Sequence, residues 1–120
     1  MNAMDIKKIS VIGLGLMGTP IAALLIKAGY RVSGFDIVRK QISDLMAQGL
    51  RAVNSPKEAA KGADLIILSL PNWMAVLEAV EGKGGVLEGA RRGQIVVDTS
   101  TSPPWESKAL SKKLTKKGIE

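Results

Sequence analysis

Ile9-Ser10-Val11-Ile12-Gly13-Leu14-Gly15-Leu16-Met17-Gly18-Thr19-Pro20 joins a β-branched run to G-x-G-x-x-G and then to a segment with helical spacing, Ile21, Leu24, Leu25 and Ala28. This order of strand, glycine turn and helix is what a dinucleotide pyrophosphate requires. The first glycine turns the chain off the strand, the second lets the backbone approach a diphosphate without a Cβ, and the third allows close helix packing. The phosphates would then face helix N–H groups that have no intrahelical acceptor and carry the positive end of the helix dipole. With 13 glycines in 120 residues, the triplet alone is weak, and its flanking periodicity gives it weight.

Outward from that turn, strand-like and helix-like segments alternate, the pattern of a parallel sheet covered on both faces. After Gly29 a second strand is expected over Arg31 to Phe35, a helix from about Val38 to Gln48, and a short third strand over Arg51 to Val53. Ser55-Pro-Lys-Glu58 is a capping box with proline at the first helical position, opening a helix to about Lys61. Leu65 to Leu70 reads as a central strand buried on both faces. Trp73 to Val80 reads as a helix, Gly82 to Gly93 as a loop, and Gln94 to Asp98 as a fifth strand. Ser102-Pro-Pro104 starts a lysine-rich helix stopped by Gly118, and Gly118-Ile-Glu120 resembles the opening of another strand, which suggests a fragment of a longer protein. The expected fold is α/β, a doubly wound parallel sheet in three α/β/α layers, forming a single domain over residues 8–120. Residues 1–7 read as a tag or start segment.

Composition narrows the function classes. At 46% apolar residues the chain has the means to build a core, and no run approaches the roughly 18 apolar residues of a membrane span. There is no signal-peptide core in Met1 to Lys8, so a cytoplasmic location is expected. Neither cysteine nor histidine occurs, which excludes disulfides, thiolate metal sites and a cysteine nucleophile, and no metal site is expected. The net charge is +6, and Lys108, Lys112, Lys113, Lys116 and Lys117 crowd the last helix. Without interleaved aromatics or a recognised module they read as a solvated face, so no nucleic-acid partner is expected. The basicity would attract an anionic cofactor.

Asp36 ends the second strand, 23 residues after Gly13, where a carboxylate accepts hydrogen bonds from an adenosine ribose. It would repel a 2′-phosphate and so favours NAD, although Arg39 is placed to reach such a phosphate and capping is an alternative role for Asp36. Leu70-Pro71-Asn72 and Asp98 to Pro103 end strands on the same sheet edge. Their hydroxyls serve capping or ligand binding equally well, and Asp98 reads as a buried structural acid rather than a catalyst. Trp73, Met74 and Trp105 read as packing residues.

Taken together, Gly13 to Pro20, Ala28-Gly-Tyr-Arg-Val32, Asp36, Ser55 to Ala60, Ala63 to Pro71 and Val97 to Pro103 resemble the amino-terminal half of the β-hydroxyacid dehydrogenases. That group includes 3-hydroxyisobutyrate, tartronate semialdehyde and 6-phosphogluconate dehydrogenases. The resemblance implies a Rossmann domain with Gly13, Leu14, Gly15, Leu16, Met17 and Gly18 at the pyrophosphate of NAD, or of NADP. It also implies Asp36 at the ribose, Leu70 and Pro71 along the cofactor, Ala75 after that turn, and Thr101 near the nicotinamide. Ala75 stands where some members carry Asn, which leaves only backbone or van der Waals contact, and Thr99 stands where some members have Ser, a change that keeps the hydroxyl. The family's catalytic lysine and helical domain lie further downstream, so no catalytic residue is assigned. The implied parent is a homo-oligomer acting on a small hydroxy acid, and the fragment itself would be inactive. Rival readings are a non-catalytic dinucleotide-binding or regulatory module and, less favoured by the strand ends, a methyltransferase-like fold.

Overall fold

The computed structural model describes residues 5–100 and 104–120. Along them run β1 (Lys8–Ile12), α1 (Gly18–Lys27), β2 (Arg31–Phe35), α2 (Lys40–Gln48), β3 (Arg51–Ala52), α3 (Pro56–Ala60), β4 (Leu65–Leu68), α4 (Trp73–Glu81), α5 (Val86–Gly89), β5 (Ile95–Asp98) and α6 (Pro104–Lys116). The five strands form one parallel sheet in the order β3-β2-β1-β4-β5. The order reverses between β1 and β4, and that switch point is where an open α/β sheet leaves a crevice beyond its strand C-termini.

Two cores sandwich the sheet. Ile9, Val11, Val32 and Ile67 pack beneath Ala22, Ile42 and Leu45 of α1 and α2. Ile12, Ile66 and Leu68 pack on the other face with Ala59, Val76, Val80, Val86, Leu110 and Leu114 from α3 to α6. Leu45, Ile66 and Leu68 are fully buried, and each contributes about 1.5–3 kcal/mol by leaving water.

Element positions follow the sequence reading with local differences. The expected loop from Gly82 to Gly93 contains α5, a single turn whose start is secured by the Glu88 carboxylate accepting the Gly84 N–H at 2.7 Å. In the capping box Ser55 Oγ accepts the Glu58 N–H at 3.1 Å, but the Glu58 carboxylate reaches back one residue further, to the Asn54 N–H. Gln94 was expected to begin β5; instead its buried side chain donates to the carbonyls of Ala60 and Ala63, fastening the end of α3 to the sheet. Ile119 and Glu120 behave as a strand would, since Glu120 N–H donates to Gln94 and Val96 N–H donates to Glu120. At the other end, Ile6 packs on the core and the Lys7 carbonyl accepts from Arg31, so the fold includes these two residues.

Three packing expectations need correction. Trp73 is half-buried, but Met74 and Trp105 are exposed, because both sit on the outer surfaces of their helices. Asp98 is exposed rather than buried: it is the last residue of β5, past the residues that bond with Glu120, and its carboxylate accepts the Ser100 N–H at 2.8 Å in an Asx-type turn. The lysines of α6 and of the turn after it are partly engaged, Lys113 with the Glu81 carboxylate and Lys117 with the Leu87 carbonyl.

Candidate dinucleotide site

At the switch point the three glycines of the β1–α1 turn have separate physical duties. Gly13 has φ +97°, and a Cβ there would lie 2.0 Å from the Ser69 carbonyl oxygen at the end of β4. A Cβ on Gly18 would lie 1.8 Å from the Gly13 carbonyl oxygen, so the helix closes on its own entry turn. Gly15 is different. No atom lies within 4 Å of the position its Cβ would take, and the space before it is open.

The main-chain donors divide in the same way. Gly13 N–H donates to the Phe35 carbonyl at 2.8 Å, and Leu14 N–H to the Asp36 carboxylate at 2.6 Å. The N–H groups of Gly15, Leu16 and Met17 donate to no acceptor among the described residues. α1 begins without a side-chain cap and without an acidic residue in its first turn. Ten residues of helix therefore end in unopposed N–H groups at an open face, an arrangement with the chemistry to hold a diphosphate.

Asp36 lies just beyond β2, beside this turn. Its two carboxylate oxygens accept the N–H groups of Leu14 and Val38, at 2.6 and 2.8 Å. An ionised carboxylate has about four lone-pair sites, so acceptors for two ribose hydroxyls remain while the main chain fixes the group in place. On either side stand exposed apolar residues, Leu16 at 96% and Ile37 at 86% of full accessibility. Arg39 is exposed at the start of α2.

The other predicted positions are arranged along the same edge. Leu70 is half-buried, its N–H donating to Ser100 Oγ at 2.8 Å, and Pro71 is exposed. Thr99 Oγ1 donates to the Leu68 carbonyl, so the Thr99 and Ser100 hydroxyls tie β4 to β5. Asn72 caps α4, its Oδ1 accepting the Ala75 N–H at 2.9 Å. That removes the main-chain donor of Ala75 and leaves it only van der Waals contact to offer. Leu14 presents no side chain to the crevice, being fully buried against the α1–α2 core. Thr101 lies outside the described residues. Asn72 and Ser100 belong to the two strand ends singled out from sequence; of the roles left open there, Asn72 takes helix capping, and Ser100 accepts the Leu70 N–H.

The fold, its switch point and the open helix end define a dinucleotide-binding α/β domain. Comparison with known proteins gives it a family: residues 8–120 match the NAD binding domain of 6-phosphogluconate dehydrogenase, and the chain belongs to that family. It is 37% identical over 113 residues to 2-(hydroxymethyl)glutarate dehydrogenase of Eubacterium barkeri, covering 94% of this chain and 38% of that protein. It is 36% identical over 110 residues to human mitochondrial 3-hydroxyisobutyrate dehydrogenase, covering 92% of this chain and 33% of that one. Among solved structures, 3-hydroxyisobutyrate dehydrogenase of Mycobacterium tuberculosis with L-serine superposes with a TM-score of 0.86 at 30% identity, covering 96% of this chain and 38% of that one. The chain thus spans between 33% and 38% of the length of these relatives.

Proposed function

We infer that residues 8–120 are the cofactor-holding part of an NAD(P)-dependent dehydrogenase acting on a small hydroxy acid, with NAD preferred. The observation that carries this reading is the open start of α1: three unpaired N–H groups beside a glycine whose Cβ position faces empty space. Gly15, Leu16 and Met17 would hold the pyrophosphate through their N–H groups, while Gly13 and Gly18 shape the turn. Asp36, fixed by Leu14 and Val38, would accept the adenosine ribose hydroxyls and repel a 2′-phosphate. Leu70 and Pro71 would flank the cofactor, Ala75 would add apolar contact, and Thr101 would stand towards the nicotinamide.

When bound, the nicotinamide supplies the hydride acceptor or donor. The chain's own residues bind and orient it, and none of them is assigned a proton-transfer role. The identities of the relatives support a hydroxy-acid substrate. The lack of cysteine is in keeping with the cytoplasm.

Calorimetric titration of the 120-residue chain with NADH and NADPH tests the reading. NADH is expected to saturate and NADPH to bind more weakly, with no oxidation of 3-hydroxyisobutyrate by the chain alone. Asp36→Asn should narrow the difference between the two cofactors. No saturation by either at millimolar concentration would overturn the assignment.

A further inference from the structure

The sheet edge opposite the dinucleotide crevice carries positive charge that cofactor attraction does not explain. Lys8, Arg31 and Arg51 are the first residues of β1, β2 and β3, and Lys61 follows α3. All four are exposed. In the parallel register Lys8 pairs with Arg31, Ser10 with Ser33, and Ser33 with Arg51. Directly paired residues of neighbouring strands project from the same face, so these five share one face of the sheet.

That face is the side covered by α3, and α3 has only five residues. It reaches β1, where Ser10 Oγ donates to the Ala59 carbonyl at 2.5 Å, and leaves the outer part of the face open. A shallow depression of about 450 Å³ remains, with Ser10, Ser33, Arg31, Arg51, Lys8 and Lys61 in its wall and no carboxylate among its lining residues. Ser33 Oγ makes no hydrogen bond within the described residues, and none of the four cations forms an ion pair there. The nearby Asp64 carboxylate feels the Lys8 charge but is committed to the main-chain N–H groups of Lys7 and Lys8. A sheet face in this fold is ordinarily apolar beneath a helix. Here its N-terminal end is polar, with Ser10 buried, Ser33 half-buried and the flanking cations exposed.

We propose that this depression is a second anion site, taking a phosphate group, free or esterified, between Arg31, Arg51 and Lys61, with Ser33 donating from the floor. Guanidinium pairs match phosphate geometry, and the clustering of like charges without acids is relieved by a multivalent anion. The site is independent of the dinucleotide reading, because it lies at the N-terminal ends of strands whose C-terminal ends carry the glycine turn.

The test is a titration of the ¹⁵N-labelled chain with inorganic pyrophosphate at constant ionic strength, followed by amide shifts. Two separate groups of shifts are expected, one at Gly15 to Met17 and one at Ser33, Arg51 and Gly62. The Arg31→Glu/Arg51→Glu double variant should weaken the second by tenfold or more and leave the first unchanged, while Arg31→Lys/Arg51→Lys should retain most of it. Both substituted side chains are exposed, and an unchanged urea midpoint will show that the fold is intact. Shifts at the second group that sodium chloride reproduces, or that survive the double charge reversal, overturn the proposal. So does binding of an oligodeoxynucleotide there that tightens with strand length and exceeds pyrophosphate, since that describes a polyanion track rather than a phosphate site. Loss of the first group alone would count against the dinucleotide assignment and leave this one standing.

Discussion

α1 and α4 both start at the C-terminal edge of the sheet, one after β1 and the other after β4, yet their N-termini are built in opposite ways. α4 is closed by Asn72, whose side chain accepts the Ala75 N–H. α1 has no cap, no acid in its first turn, and a glycine in place of any side chain that would obstruct its approach. A capped helix end serves stability, at about 1 kcal/mol. An uncapped one beside an open glycine forgoes that stabilisation and keeps its donors free for an anion. The difference separates the residues that hold the fold from those that hold the ligand.

Substitutions at the two ends should therefore fail in different ways. The largest effect is expected for Gly18→Ala: its Cβ would sit 1.8 Å from a main-chain oxygen, and a denaturant melt should show a loss of about 3 kcal/mol or more. Gly15→Val should leave the melt within about 0.5 kcal/mol of the parent, since nothing occupies the space its Cβ would enter. Its NADH affinity should fall by about tenfold or more, a loss of about 1.4 kcal/mol; unchanged affinity would show that the open glycine is not the approach point. Asn72→Ala should reverse the pattern, lowering stability by about 1 kcal/mol with NADH affinity preserved in the same calorimetric assay.

The smallest effect concerns pH, and it lies far from both helix ends. Hydrogen bonds from the main-chain N–H groups of Lys7 and Lys8 hold the Asp64 carboxyl below its ordinary value. A depressed carboxyl stabilises the fold above its unfolded-state pKa of about 3.9, and that contribution is lost as pH falls through the folded value. Urea midpoints measured from pH 6 down to pH 3 should fall more steeply for the parent than for Asp64→Asn. Parallel curves would show that the interaction contributes nothing to folding.

The succession of strands and helices along the chain and the glycine turn were legible because both rest on local pattern, β-branched runs punctuated by glycine. Asp36 was legible as a ribose acceptor, but its bonds to Leu14 and Val38 were not, since they depend on β2 ending beside the turn. Ser100 and Gln94 were unreadable for the same reason: their partners, Leu70 in one case and Ala60 and Ala63 in the other, are about thirty residues away. Asp98 was misread because a polar residue after apolar neighbours carries no mark of whether it ends its strand in the core or in a solvent-facing turn. Met74 and Trp105 show the limit of residue type as a guide to burial, since large apolar side chains also occupy surfaces.

The buried Leu14 side chain has a consequence for how a ligand arrives. Pinned in the core while its N–H meets Asp36, it holds the turn in shape before anything binds. The conformational entropy of that loop is thus spent during folding, and association needs no ordering step. Encounter should be a single bimolecular process whose observed rate rises linearly with dinucleotide concentration, and the accompanying heat-capacity change should be the small one of a preformed surface losing water.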